Sequence, residues 1–190
     1  VHLILGHHLG GPPALVRALM IVPNVVATRT VRALVEFAWN AATRPLQEAI
    51  DSILAANPGA ISDAADNWFV CALVERDPTT AERALVALGD NKFWGDGPVL
   101  LSRSFGEGLL ARMMEDEART QAAFAKARLE QEKIVQARPD YGPPLCVLGL
   151  IDAALGRKEA ALREGRRAFE LLPIEKDSRG GGVLLVNAST

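Results

Sequence analysis

The 190-residue chain is poor in the side chains on which most disulfide, metal and nucleophilic chemistry depends. Its two cysteines, Cys71 and Cys146, are too few for a disulfide framework and lack the paired spacing of a zinc site, so two small buried thiols in a reducing compartment are expected. All three histidines lie within the first eight residues, which leaves no imidazole elsewhere to activate a Ser or Cys nucleophile. One Tyr and six Phe in a chain of this length argue against sandwiches and barrels. No sign of charge dominates: the formal net charge is −2, which removes the global basic field that nucleic acids or an anionic membrane surface call for. Long apolar runs are missing too, since residues 14–27 are broken by Arg17 and Pro23, and no membrane span is expected. The opening five residues are too short for a signal peptide and have no basic start. With Val rather than Met in first place, these features lead us to expect a cytoplasmic piece of a longer protein.

What the chain has in abundance is alanine, 30 residues of it, in a sequence that is 49% apolar. That composition predicts helices around one core or a short array of packed units. From residue 28 onward one phrase recurs: an apolar-periodic stretch, a break, a second stretch, then Pro or Gly. The first pair of helices is expected over 28–41 and 45–56, with Thr43 as cap and Asn57-Pro58-Gly59 as stop. The second spans 63–76 and 79–89, broken at Asp77-Pro78, with Thr79 and Glu82 spaced as a capping box. Residues 90–97 form the longest loop. A third pair takes 100–114 and 117–137, the acidic turn Glu115-Asp116-Glu117 starting its second helix, where the dipole favours negative charge. The fourth covers 144–155 and 158–172, joined by Gly156-Arg157 and closed by Pro173.

The fourth pair carries the clearest pattern. Counting Gly142 as the first of 34 positions, Leu148 and Gly149 fall at 7 and 8, Gly156 at 15, Ala161 at 20, Ala168 at 27 and Pro173 at 32. Small residues at such places let two antiparallel helices approach closely, and Pro ends the second. On these residues the chain resembles the tetratricopeptide repeat family. The third pair fits with Gly108, Phe124 and Ala127, although Thr120 stands where the small Ala belongs and its second helix overruns by seven residues. The second pair offers Trp68, Ala72 and Ala84. Residues 149–173 are also similar to the last repeats of bacterial proteins that join a kinase, adenylate-cyclase or winged-helix module to a repeat array.

Few residues suggest chemistry. His7-His8 lacks the i, i+4 partner and nearby carboxylate of a helical metal site, the nearest downstream acid being Glu36. Gly180-Gly181-Gly182 lacks the Lys-Ser/Thr and following helix of a phosphate loop. The basic residues Arg157, Lys158, Arg163, Arg166 and Arg167 are interleaved with Glu159 and Glu164 and have no aromatic among them, the pattern of a solvated outer face. No catalytic, cofactor or metal residue is assigned, and no enzyme is expected.

The resemblance implies an all-α fold of antiparallel helical hairpins stacked as a right-handed solenoid over 28–173, with an N-terminal segment 1–27 and a tail, or the start of a further repeat, over 174–190. It implies a concave face made by the first helix of each pair. Carried over residue by residue, that face takes Phe69, Leu73 and Arg76, then Phe105, Leu109, Arg112 and Met113, then Cys146, Leu150, Ala153 and Ala154. Family members that clamp a peptide carboxylate use Lys and Asn here, whereas Cys146 and Leu150 are present. The expected function is therefore a non-catalytic scaffold that binds a protein or peptide through an apolar groove, with Arg76 or Arg112 anchoring an acidic group. The groove is equally open to self-filling or self-association. The alternative is a regulatory or sensory domain linked to a kinase, cyclase or DNA-binding module.

Overall fold

The computed structural model describes residues 30, 33–34, 36–37, 40, 42–89, 94–96 and 99–171. The expectations for 1–27, for the tail 174–190, for His7-His8 and for Gly180-Gly181-Gly182 lie outside the described residues. The described residues are mainly helical, and the chain divides into two compact units, Val1–Gly89 and Asp90–Thr190.

In the first unit the described residues of 30–40 are helical, and α1 (Arg44–Ala56) follows. Leu46, Ile50 and Ile53 recur at helical spacing and are buried. Thr43 occupies the N-cap position, but its side chain makes no capping bond; its carbonyl instead accepts the Leu46 and Gln47 N–H groups. A 3-10 turn, Pro58–Asp63, leads into α2 (Ala65–Val74), and α3 (Pro78–Leu88) returns against it. The helix α3 starts earlier than the Thr79 box predicts. Pro78, whose fixed φ suits the first helical position, pulls the start forward, so that Asp77 becomes the cap and accepts from the Thr80 N–H at 3.0 Å. Phe69 and five alanines at zero exposure, among them Ala72 and Ala84, let the helices of this unit pack closely.

The second unit opens with a two-stranded antiparallel ribbon, β1 (Trp94–Asp96) and β2 (Val99–Leu101), where the sequence predicts a loop and the start of a helix. Val99 and Leu101 suit a pleated surface, Val99 is buried, and β2 packs on the helix α6 defined below. Ser102 ends the ribbon by capping α4 (Arg103–Met113), its hydroxyl accepting from the Phe105 N–H. Then come α5 (Glu117–Ala137), α6 (Gly142–Ala154) and α7 (Lys158–Leu171). Packing follows chain order, α4 on α5, α5 on α6 and α6 on α7. Along α5 the buried Thr120, Ala123, Phe124, Ala127 and Gln131 fall on one stripe.

Two glycines fix how near the helices come. A Cβ on Gly108 would lie 2.8 Å from the Phe124 ring, which is fully buried and meets Phe105 edge to face at 5.3 Å. A Cβ on Gly149 would lie 3.1 Å from the Ala161 carbonyl oxygen of α7. Fully buried side chains such as Phe124, Leu110 and Ile151 each contribute about 1.5–3 kcal/mol to folding.

The three complete hairpins turn in the same way. After α2, α4 and α6 one residue adopts the left-handed conformation: Arg76 at φ 55°, Glu115 at φ 59° and Gly156 at φ 73°. The N–H of the next residue reaches back to the carbonyl five positions earlier: Asp77 to Ala72 at 3.0 Å, Asp116 to Ala111 at 3.0 Å and Arg157 to Asp152 at 2.8 Å. In the first two turns that next residue is an Asp, whose carboxylate caps the returning helix by accepting from Thr80 or Arg119.

Candidate partner-binding face

The first helices of the three hairpins carry the residues assigned to the concave face, and their exposure sorts them into three groups. Phe69, Phe105 and Cys146 belong to the core: Phe69 is fully buried, Phe105 holds its ring edge against Phe124, and Cys146 is 3% exposed. Leu73, Leu109, Met113 and Leu150 are half-buried, whereas Arg76 and Arg112 are exposed. Helical geometry accounts for this sorting, because positions that face a neighbouring helix alternate within each turn with positions that face outward. What these helices leave outside the core is therefore aliphatic, with Arg76 after α2 in the first unit and Arg112 on α4 in the second. In the second unit it comprises Leu109, Met113 and Leu150, with Arg112 at the end of α4 and Ala153 exposed on α6.

The ends of α4 and α6 are tied together by Arg112. Its guanidinium lies over the Phe124 ring at 5.0 Å and donates to the Ala154 carbonyl at 2.8 Å. A cation at a helix C-terminus both satisfies a terminal carbonyl and meets the negative end of the dipole. Arg112 thus has a structural role at an exposed position. Arg76 occupies the left-handed turn after α2.

Between the two hairpins of the second unit lies an ion pair that sequence reasoning missed. Asp152 is fully buried; its Oδ1 accepts from Arg128 Nε at 2.7 Å and lies 3.7 Å from the Arg157 guanidinium. Its Oδ2 is buried without a hydrogen-bond partner. Arg128 also donates to Glu132, and its hydrogen bond with Asp152 raises the guanidinium's pKa above the ordinary value. A neighbouring contact repeats the polar theme: the buried Gln131 amide donates to the Pro144 carbonyl at 2.8 Å. These groups join α5 to α6 by bonds that demand one register. The available signal was that Asp152 is the lone charge in the apolar run 142–154.

Neither thiol is built for reaction. Burial pushes Cys146 up to about 11, and burial, followed by the charge and hydrogen bond of Glu75, pushes Cys71 up to about 12. Both remain protonated at neutral pH, and a thiol rather than a thiolate is a weak nucleophile. Among the described residues no group of three or more His, Cys, Asp or Glu is placed to hold a metal ion, and no helix is long and apolar enough to cross a membrane. No protein-family model, curated protein or solved structure matches the chain.

Proposed function

We propose that the chain is a non-catalytic protein-interaction module of the tetratricopeptide kind, part of a larger bacterial protein, which binds a protein or peptide segment along the first helices of its hairpins. The observation that carries this reading is the order in the second unit, where two hairpins with one kind of turn stack α4–α5–α6–α7 and hold Gly108 and Gly149 at their close contacts. Stacked hairpins create an extended surface along the array, which this reading assigns to the first helices. Here that surface offers aliphatic area from Leu109, Met113 and Leu150 beside the cation Arg112. An extended segment with apolar side chains and one acidic group matches it.

Panning a displayed library of random dodecapeptides against the chain tests the reading. Selected peptides should lose at least fivefold in affinity with Leu109→Asp or Leu150→Asp. They should be unaffected by Leu129→Asp, which changes an exposed leucine on α5, outside the face. Peptides that are insensitive to both α4 and α6 changes would refute the assignment of this surface.

A further inference from the structure

The helix α7 lies outside the first-helix face and carries an exposed flank of mixed apolar and basic character. It packs on α6, yet of its own residues only Ala168 is buried. Leu162 is 49% and Phe169 38% exposed, and with Arg166 between them they fall on one stripe of the helix, a turn apart from one to the next. Along that stripe runs a shallow trough of about 490 Å³, whose lining sets Arg163, Arg166 and Arg167 against Glu159 and Glu170, a formal excess of one positive charge. Arg163 pairs with Glu164 at 3.0 Å and Arg167 with Glu170 at 3.3 Å, so two of the three cations are met within the helix. Arg166 makes no ion pair or hydrogen bond among the described residues.

The stacking one hairpin earlier shows what such a flank meets. When Gly149 is aligned with Gly108 and Ala168 with Ala127, Phe169 falls where α5 carries Arg128. Arg128 is a residue through which α5 holds the next helix, by its bond to Asp152 of α6. That next helix is an apolar run with a single carboxylate. On α7 the same two kinds of contact are offered from neighbouring positions: an aromatic ring at the stacking position, and an unpaired guanidinium one turn before it.

We propose that the flank of α7 formed by Leu162, Arg166 and Phe169 is a docking site for an amphipathic helix of a partner protein, one whose apolar stripe carries an acidic residue. Continuity with the α5–α6 stacking selects a helix over an extended segment, since a helix is what covers the equivalent edge of α5. Charge selects the acid: a carboxylate opposite Arg166 gains a charge-assisted, two-pronged pair, while Leu162 and Phe169 supply the apolar contacts on either side. A second copy presenting its own α7 would bring arginines against arginines, which disfavours self-pairing through this flank. The site rests on the observed stacking order and not on the peptide-binding reading of the first helices.

Selection of a displayed library of single helices, each about four turns long and randomised along one face, against the whole chain tests the proposal. Recovered helices are expected to combine an apolar stripe with an Asp or Glu, and the synthetic peptides should bind saturably by fluorescence anisotropy. Leu162→Ser and Arg166→Glu, both at exposed positions, and Phe169→Ala should each weaken such a peptide about fivefold or more. Replacing the peptide's acid by Lys should reverse its preference, so that it binds the Arg166→Glu protein better than the wild type. Leu109→Asp on α4 should leave binding unchanged, which separates a failure here from a failure of the first-helix reading. Recovery of no helix, helices without an acid, or helices all indifferent to the Leu162, Arg166 and Phe169 changes would each overturn the assignment. So would dimerisation, read by sedimentation, that Arg166→Glu abolishes, because the flank would then belong to a second copy of the chain.

Discussion

The contact between Gly108 and Phe124 makes a prediction whose sign can be reversed. Gly108→Ala gains about 1 kcal/mol of helix propensity, since glycine is the costliest ordinary residue inside a helix. Against this, the new Cβ would lie 2.8 Å from two Phe124 ring atoms and 2.9 Å from a third, whereas carbon atoms rest at about 3.5–4.0 Å. The ring is fully buried and held edge to face by Phe105, so the required shift of several tenths of an ångström must pass into the core. Such overpacking costs about 1–3 kcal/mol, and the net change should be a destabilisation of about 0–2 kcal/mol. Phe124→Leu removes the ring. In that background Gly108→Ala should become stabilising by close to its full propensity gain, about 1 kcal/mol, or roughly 2–4 °C in melting temperature for a chain of this size. Thermal unfolding of the four proteins, followed by circular dichroism, gives the coupling directly. If Gly108→Ala raises the melting temperature equally with and without the ring, the close approach of α4 to α5 is refuted.

Gly149→Leu should destabilise by about 1–3 kcal/mol, since even a Cβ there meets the Ala161 carbonyl, while Arg163→Leu on the exposed side of α7 should be near neutral in the same melting assay. Glu115→Gly should stabilise by about 0.5–1 kcal/mol by relieving a left-handed conformation, and Gly156→Val should cost about 1–2 kcal/mol at the equivalent place; urea unfolding reads both. Asp152→Ala should cost about 2–4 kcal/mol, less than for a fully buried pair because Arg128 keeps Glu132, and Arg128→Met in the same chain should restore part of it; additive losses would show that the two do not interact. The Asp77 carboxyl titrates lower folded than unfolded, so its contribution is present above about pH 4 and lost as pH falls through its folded value; the melting-temperature gap between wild type and Asp77→Ala should therefore close in acid.

Much of the helical order was legible because periodicity and punctuation agree. The bounds of α5 match the expectation, and the Gly149 contact is present where the small-residue pattern puts it. What escaped depends on competition between neighbouring signals or on distant partners. Thr79 with Glu82 is a sound capping box, yet Pro78 offered a better first helical position and made Asp77 the cap. Residues 99–101 continue an apolar helical pattern in sequence, but Ser102 supplies a cap immediately after them and frees them to pair with 94–96. At the partner-binding face, register selects which positions belong to a first helix but leaves their exposure undetermined. Phe105 and Cys146 are drawn into the core by α5 and its neighbours, while Leu109 and Leu150 remain partly outside. The Arg128–Asp152 pair spans 24 residues and two helices, so nothing local announces it.

The left-handed turns explain how hairpins of one kind arise from dissimilar sequences. Only the last carries glycine, and the conformation costs Arg76 and Glu115 about 1–2 kcal/mol each, so those turns are imposed by what surrounds them rather than by the turning residue. Two features do the imposing. The small buried Ala72 and Ala111 place their carbonyls where the N–H of Asp77 and Asp116 can close the turn, and the same aspartates then cap the outgoing helices. Each aspartate thus ends one helix through its backbone and starts the next through its side chain, which fixes the angle of return at one residue. In the third hairpin Arg157 lacks the carboxylate, and there Gly156 removes the backbone strain instead. The turn persists because either device suffices, and the helical hairpin, rather than any single signature residue, is the unit that the chain repeats.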